Sequence, residues 1–313
     1  MNAMLKNIHE HLARNGKVLI FTILGLVLGG MPAVAGPELV AIQGYSGPQE
    51  DPVISPDGQY LFFDSFNDAG LPQYLYYAKY IDYKTFRFLG EVQGANAQGE
   101  TTLRGNYDLA YNFYFVSQLC APPSSVTGIC KGTFTNGSVT NIAPVTGLPA
   151  PVPPSGSFGA VFDVAISSDG NTLYYTNAIL DTSRGMALPS SSRIFVARKN
   201  ADGSFTTLSN SDQIMRNVNN TTPTVYNSAP SPDTLTFVFT APNLPDPPQL
   251  YAATRPSASV PFGLSAPITP ANTPTGNPYP NPENGGYSPD GNYIYFHRLL
   301  SPSSSQIYVL TLQ

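Results

Sequence analysis

Four segments of this chain carry the same short pattern. Ser55-Pro56-Asp57-Gly58 leads into Tyr60-Leu61-Phe62-Phe63, and Ser167-Ser168-Asp169-Gly170 into Thr172-Leu173-Tyr174-Tyr175. Ser231-Pro232-Asp233-Thr234 leads into Phe237-Val238-Phe239, and Ser288-Pro289-Asp290-Gly291 into Tyr293-Ile294-Tyr295-Phe296. An aromatic stands eight positions after each motif Ser, at Phe63, Tyr175, Phe239 and Phe296. The Ser-to-Ser steps are 112, 64 and 57 residues, so the first step has room for one more copy. Gly105-Asn106-Tyr107-Asp108 ahead of Phe113-Tyr114-Phe115 fills that gap, with the turn lost and the aromatic strand kept. Self-similarity at such a period marks an architecture built from repeated supersecondary units.

The chemistry of each copy is that of a hairpin. Pro presets φ, Asp bonds the nearby backbone and Gly accepts φ > 0, so one strand enters the turn and an aromatic strand leaves it. A third strand follows at Gln73-Tyr74-Leu75-Tyr76, Arg193-Ile194-Phe195-Val196, Gln249-Leu250-Tyr251-Ala252 and Gln306-Ile307-Tyr308-Val309. Phe86 to Leu89 and Ser204 to Leu208 read as fourth strands. Four short antiparallel strands per unit make one propeller blade. The expected fold is therefore all-β, a five-bladed β-propeller. Six blades are the alternative count, if Gly90 to Gly99 or the proline-rich Pro256 to Pro282 forms a short blade. The last unit stops at its third strand, and Glu38-Leu39-Val40-Ala41-Ile42 can supply the missing fourth, which would protect the last sheet edge.

Repeated S-P-D-G ahead of an aromatic strand and a (Q/R)-(I/L)-(Y/F) strand resembles the TolB-like, WD40-like propeller repeat, over Glu50 to Gln313. The sialidase Asp-box fits less well, because Asp57-Gly58, Asp169-Gly170 and Asp290-Gly291 have no spacer. The resemblance implies a non-enzymatic binding module that contacts a protein or another component of the cell envelope. The repeats begin about 15 residues after the predicted cleavage site. That leaves no room there for a separate N-terminal α/β domain like that of the family's namesake.

Residues 1–35 read as a signal peptide. Lys6, Arg14 and Lys17 precede the apolar run Val18 to Gly30, and Ala33-Val34-Ala35 follows as a cleavage signal. The run is shorter than the roughly 20 residues a spanning helix needs. Residues 36–313 are then a single exported domain, periplasmic or secreted, not membrane-spanning and expected to be monomeric. The full chain has a net charge of −5. Removing three basic residues and one acidic one leaves −7, with no basic footprint for nucleic acid. Cys120 and Cys130 are expected to pair in an oxidising compartment.

Four positions before each motif Ser stand Asp51, Asp163, Asn227 and Asn284, and the degenerate copy offers Leu103 with Arg104 beside it. In a propeller these residues ring one mouth of the channel, where they are candidate ligand- or partner-binding groups. Two carboxylates and two amide oxygens are hard ligands that suit Ca²⁺. Arg104 can instead neutralise Asp51 and Asp163, so no metal or cofactor is assigned. The motif residues Asp57, Asp169, Asp233 and Asp290 read as structural. His297, the only His after residue 35, has no Gly-x-Ser-x-Gly partner and reads as a strand-end residue, so no catalytic residue is assigned. The competing function is a polysaccharide hydrolase in which Asp51, Asp163 and Glu283 or Glu100 converge near the axis.

Overall fold

The computed structural model describes residues 36–312, except 66–71, 97–100, 182–188, 243–246, 274–281 and 302. The predicted signal peptide and Glu100 lie outside the described residues. Five antiparallel sheets follow one another along the chain, one per repeat. Blade 1 comprises β3 (Glu50–Ile54), β4 (Tyr60–Asp64), β5 (Leu75–Asp82) and β6 (Thr85–Glu91). Blade 2 holds β7 (Thr102–Tyr107), β8 (Asn112–Ser117), β9 (Gly128–Thr135) and β10 (Ser138–Pro144). Blade 3 holds β11 (Ser157–Ile166), β12 (Thr172–Asp181), β13 (Ser191–Lys199) and β14 (Phe205–Thr207). Blade 4 holds β15 (Tyr226–Pro230), β16 (Thr236–Ala241), β17 (Gln249–Thr254) and β18 (Ala266–Pro267). Blade 5 holds β19 (Pro282–Tyr287), β20 (Tyr293–Ser301) and β21 (Ser304–Thr311). The count is five; Gly90 to Gly99 and Pro256 to Pro282 do not form a sixth sheet among the described residues.

Blade 5 is completed from the other end of the chain. β1 (Glu38–Leu39) pairs antiparallel with β21, Glu38 opposite Val309. The chain then crosses at Val40, and β2 (Ala41–Gln43) pairs parallel with β6 of blade 1. The expected closing strand is thus split between two blades, with Val40 and Ile42 buried in the core between them. This double use was not legible in the sequence, which gave a run of apolar residues but no signal for a change of sheet.

The motif turns explain their own composition. In all four copies the Asp accepts the Ser hydroxyl and the backbone N–H two residues on, and the Ser hydroxyl accepts the N–H five residues on. Gly58, Gly170 and Gly291 sit at φ near 71–73°, which glycine adopts without strain. In blade 2, Asp108 takes over, accepting the N–H groups of Ala110 and Asn112. The turn survives there through different residues.

Aromatic strands pack blade against blade. Phe62 of blade 1 meets Phe113 and Phe134 of blade 2 at ring-centroid separations of 5.2 and 5.4 Å. Tyr174 and Phe237 do the same between blades 3 and 4 at 5.3 Å. Two short helical turns, Ser211–Ile214 and Arg216–Asn219, cover that last seam with Met215 and Val218, both fully buried. Each such ring or aliphatic side chain contributes about 1.5–3 kcal/mol by leaving water.

Cys120 and Cys130 are disulfide-bonded, with Cα atoms 5.4 Å apart, and both are buried against the blade 1–blade 2 core. Replacing both by Ala should cost about 2–3 kcal/mol, since the short loop they close loses its restriction in the unfolded chain. Equilibrium denaturation of the variant checks this, and an unchanged midpoint would show that the bond adds nothing to stability.

Candidate binding site at one mouth of the channel

A repeated irregularity in the innermost strands builds this site. In blade 1 the ladder shifts between Glu50 and Val53, so Asp51 and Pro52 together face one residue of β4, Phe63. Blade 2 shifts between Leu103 and Asn106, blade 4 between Tyr226 and Ala229, and blade 5 between Glu283 and Gly286. The residue opposite each bulge is Phe115, Phe239 or Phe296, the aromatics of the sequence repeat. The first bulge residue has positive φ in all four blades: Asp51 51°, Arg104 48°, Asn227 63° and Asn284 59°. Asn and Asp tolerate this region better than most residues, which accounts for the residue type four places before the motif Ser. Bulges of this kind re-aim side chains beside a mouth or cleft.

In blade 2 Arg104, not Leu103, occupies the bulge position. Blade 3 also departs from the pattern. Its ladder runs on through Asp163, paired with Thr176, and shifts only between Val161 and Asp163.

The five positions form a belt that ties each blade to the next. Asp64 of blade 1 accepts the backbone N–H of Arg104 in blade 2 at 3.0 Å. The Arg104 Nε pairs with the Asp163 carboxylate of blade 3 at 2.9 Å, with both residues almost fully buried. Asp163 accepts the N–H of Ser228 in blade 4. Thr240 accepts the N–H of Asn284 in blade 5 at 3.0 Å, and His297 Nδ1 accepts the N–H of Asp51 at 3.2 Å, closing the ring. Asp64, Thr176, Thr240 and His297 all stand nine places after a motif Ser. That constant spacing could have found them, but Asp, Thr and His share no residue type that would have drawn notice. The equivalent position of blade 2 is Val116, which can accept nothing, and the next blade is the one whose bulge is displaced.

Around the belt sit more carboxyls than cations. Glu50, Asp51, Asp64, Asp163 and Glu283 face Arg104 and His297. His297 lies 3.9 Å from Glu50 through Nε2 and 3.7 Å from Asp51 through Nδ1. The Tyr226 hydroxyl donates to Glu283 at 3.3 Å. Burial raises the Glu50, Asp51 and Asp64 carboxyls above their ordinary range and Glu283 to about 7. The Asp51 charge adds to the rise at Glu50, Asp64 and Glu283. Asp51 itself is held back by Arg104 and by a hydrogen bond shared with Asp64. Burial, helped by Arg104, lowers His297 to about 3, so its imidazole is neutral and its proton stands on Nε2.

The signs oppose one another. A carboxyl raised by folding favours the folded state below its unfolded value, and that advantage is lost as pH rises to the folded value. A depressed imidazole contributes stability above about 6.5 that is lost as pH falls toward its folded value. Four carboxyls outweigh one imidazole above about pH 4, so the melting temperature should be highest near about pH 4 and decline steadily toward about pH 8. His297→Asn removes the opposing contribution and should steepen the decline between about pH 4 and 6.5. A melting temperature that climbs steadily across the range would contradict this.

Buried polar oxygens without a hydrogen-bond donor include Asn284 Oδ1. Among the described residues, no group of three or more His, Cys, Asp or Glu is arranged to hold a metal ion. None of the described helices is long and apolar enough to cross a membrane.

No family model matches the chain, and no curated protein matches it. Solved structures do. The catalytic domain of the Coprinopsis cinerea family-62 α-L-arabinofuranosidase matches with a TM-score of 0.53 at 13% identity, over 89% of this chain and 95% of that one. A thermostable family-43 glycoside hydrolase matches with a TM-score of 0.51 at 12% identity, over 88% and 91%. What they share with it is the propeller fold. TolB from Acinetobacter baumannii is also among the neighbours, with a TM-score of 0.42 at 12% identity over 85% of this chain; the match spans 55% of the TolB chain.

Proposed function

We propose that this chain is an exported, non-enzymatic propeller that binds a basic segment of another envelope protein at the acidic mouth of its channel. The observation that carries this reading is the charge imbalance there: five carboxyls against one guanidinium and a neutral imidazole. Burial and mutual repulsion raise Glu50, Asp51, Asp64 and Glu283, and an incoming Lys or Arg would offset both. Glu50 and Asp51 each keep 12% of their side chains exposed. Asp64 and Asp163 are committed to the belt. The disulfide and the signal-peptide pattern support export.

A second reading has its own support. Glu283, held near 7, beside carboxyls of different environment is the division of protonation states that glycoside hydrolysis uses. The two hydrolases with the same fold keep that reading in play.

Crosslinked pull-down from envelope extract, with the Glu50→Gln/Glu283→Gln double variant as comparison, separates the two. The binding reading expects a protein partner that is lost in the double variant and weakened by salt, because exposed charge pairs are screened. Release of reducing sugar from an arabinose-bearing polysaccharide, abolished by Glu283→Gln, would replace it with the hydrolase reading.

A further inference from the structure

At the motif-turn end of the innermost strands a second space opens and leads inward, where it meets the belt at Arg104 and Ser228. A vestibule of about 200 Å³ lies there, walled by Pro56, Leu109, Pro232 and Pro289 among others. Behind it lies a chamber of about 80 Å³. Five residues line both spaces: Ile54, Asn106, Ile166, Pro230 and Tyr287. Each comes from a different blade, next to the end of its innermost strand, so together they form a neck. The chamber wall beyond the neck is apolar at Val53, Val164 and Ala229, and it includes Arg104 and Ser228.

Those two polar residues have groups left over. Arg104 spends Nε on Asp163 and Nη2 on the Ser228 carbonyl at 3.2 Å, but its Nη1 is buried without an acceptor. The Ser228 hydroxyl is likewise buried without a partner. Arg104 is 2% exposed and Ser228 1%. A buried, unmatched donor is costly, and a chamber far larger than one water needs can supply the missing acceptor. At the outer end the blade 2 turn, where the serine motif is lost, leaves Leu109 59% exposed at the rim.

From this arrangement we infer that the channel binds a small monocarboxylate with an apolar tail, entering from the turn face. The carboxylate accepts from Arg104 Nη1 and the Ser228 hydroxyl, the tail threads the neck, and its end rests on the proline and leucine rim. A charge-assisted hydrogen bond to guanidinium is stronger than a neutral one, so the head group sets the preference and the tail adds affinity by burial.

Calorimetric titration of the full chain with hexanoate, acetate and hexan-1-ol tests this. Hexanoate should bind saturably and at least about tenfold tighter than hexan-1-ol, or about 1.4 kcal/mol; acetate should bind more weakly than hexanoate. Arg104→Met should erase the preference of acid over alcohol. Should that variant not fold, Leu109→Asp at the exposed rim decides instead. It should leave the melting temperature unchanged and weaken hexanoate about tenfold, with hexan-1-ol weakened in step because it carries the same tail. Equal affinity for acid and alcohol, failure of hexanoate to saturate, or indifference to Leu109→Asp would each overturn the inference.

Discussion

Deleting Glu38 to Gln43 should leave a chain that no longer holds its native fold at ordinary temperature. The segment buries Val40 and Ile42 in the core between blades 5 and 1. It also supplies the outer strand of one blade and an added strand of the other, with further backbone bonds from Val40 to Ile307 at 2.9 Å and from Ala41 to Lys84 at 2.8 Å. Two buried aliphatics at about 2–4 kcal/mol each and several ladder hydrogen bonds at about 1 kcal/mol each approach the whole stability of a typical domain, about 5–15 kcal/mol. Circular dichroism should show lost cooperativity or a melting temperature lowered by well over about 10 °C. The milder Val40→Ala should lose about 1–3 kcal/mol. A deletion that melts like the parent would mean the ring closes without this strand.

The second large effect is expected at Arg104. Arg104→Met leaves the Asp163 carboxyl fully buried without its ion-pair partner, and removing one partner of such a pair costs about 3–5 kcal/mol. The loss should concentrate at the seam of blades 2 and 3, where the ion pair stands in for the backbone bond that joins the other blades. Arg104→Met/Asp163→Asn should recover part of the loss, since a neutral amide oxygen can still accept from Ser228 at lower desolvation cost. Urea denaturation of the three variants gives the cycle. Strictly additive losses would show that the two side chains act separately.

The parts of this molecule that were legible in the sequence are those written by turn chemistry. Ser-Pro-Asp-Gly located four of the hairpins, and the aromatic eight residues on located the second strand of every blade. Turns are read from residue type because each type solves a local backbone problem, as Gly58 does at φ 71°. The belt was only half legible. Asp51, Asn227 and Asn284 were visible because their bulge favours Asn and Asp. Arg104 was named for the ring only as the neighbour of Leu103, because the blade 2 turn between Tyr107 and Phe113 is one residue shorter than those of blades 1, 4 and 5, which offsets the count. Asp64, Thr240 and His297 answer a long-range demand, one acceptor per neighbouring blade. Several side chains can meet it, so composition does not announce it. Asp163 was found for its spacing, yet it serves in a different backbone geometry, paired with Thr176 just after the ladder shifts between Val161 and Asp163.

The pairing of Glu38 with Val309 also sets an order of events in time. Of the described strands, β1 is made first and its partner β21 last. Until both are present the edge of β21 stays open and Val40 has no seam to fill. The ring therefore closes only once β21 has been made, in a late step that brings together positions some 270 residues apart, the kind of contact that forms slowly. Throughout that interval the ring is unclosed and its last blade lacks its outer strand.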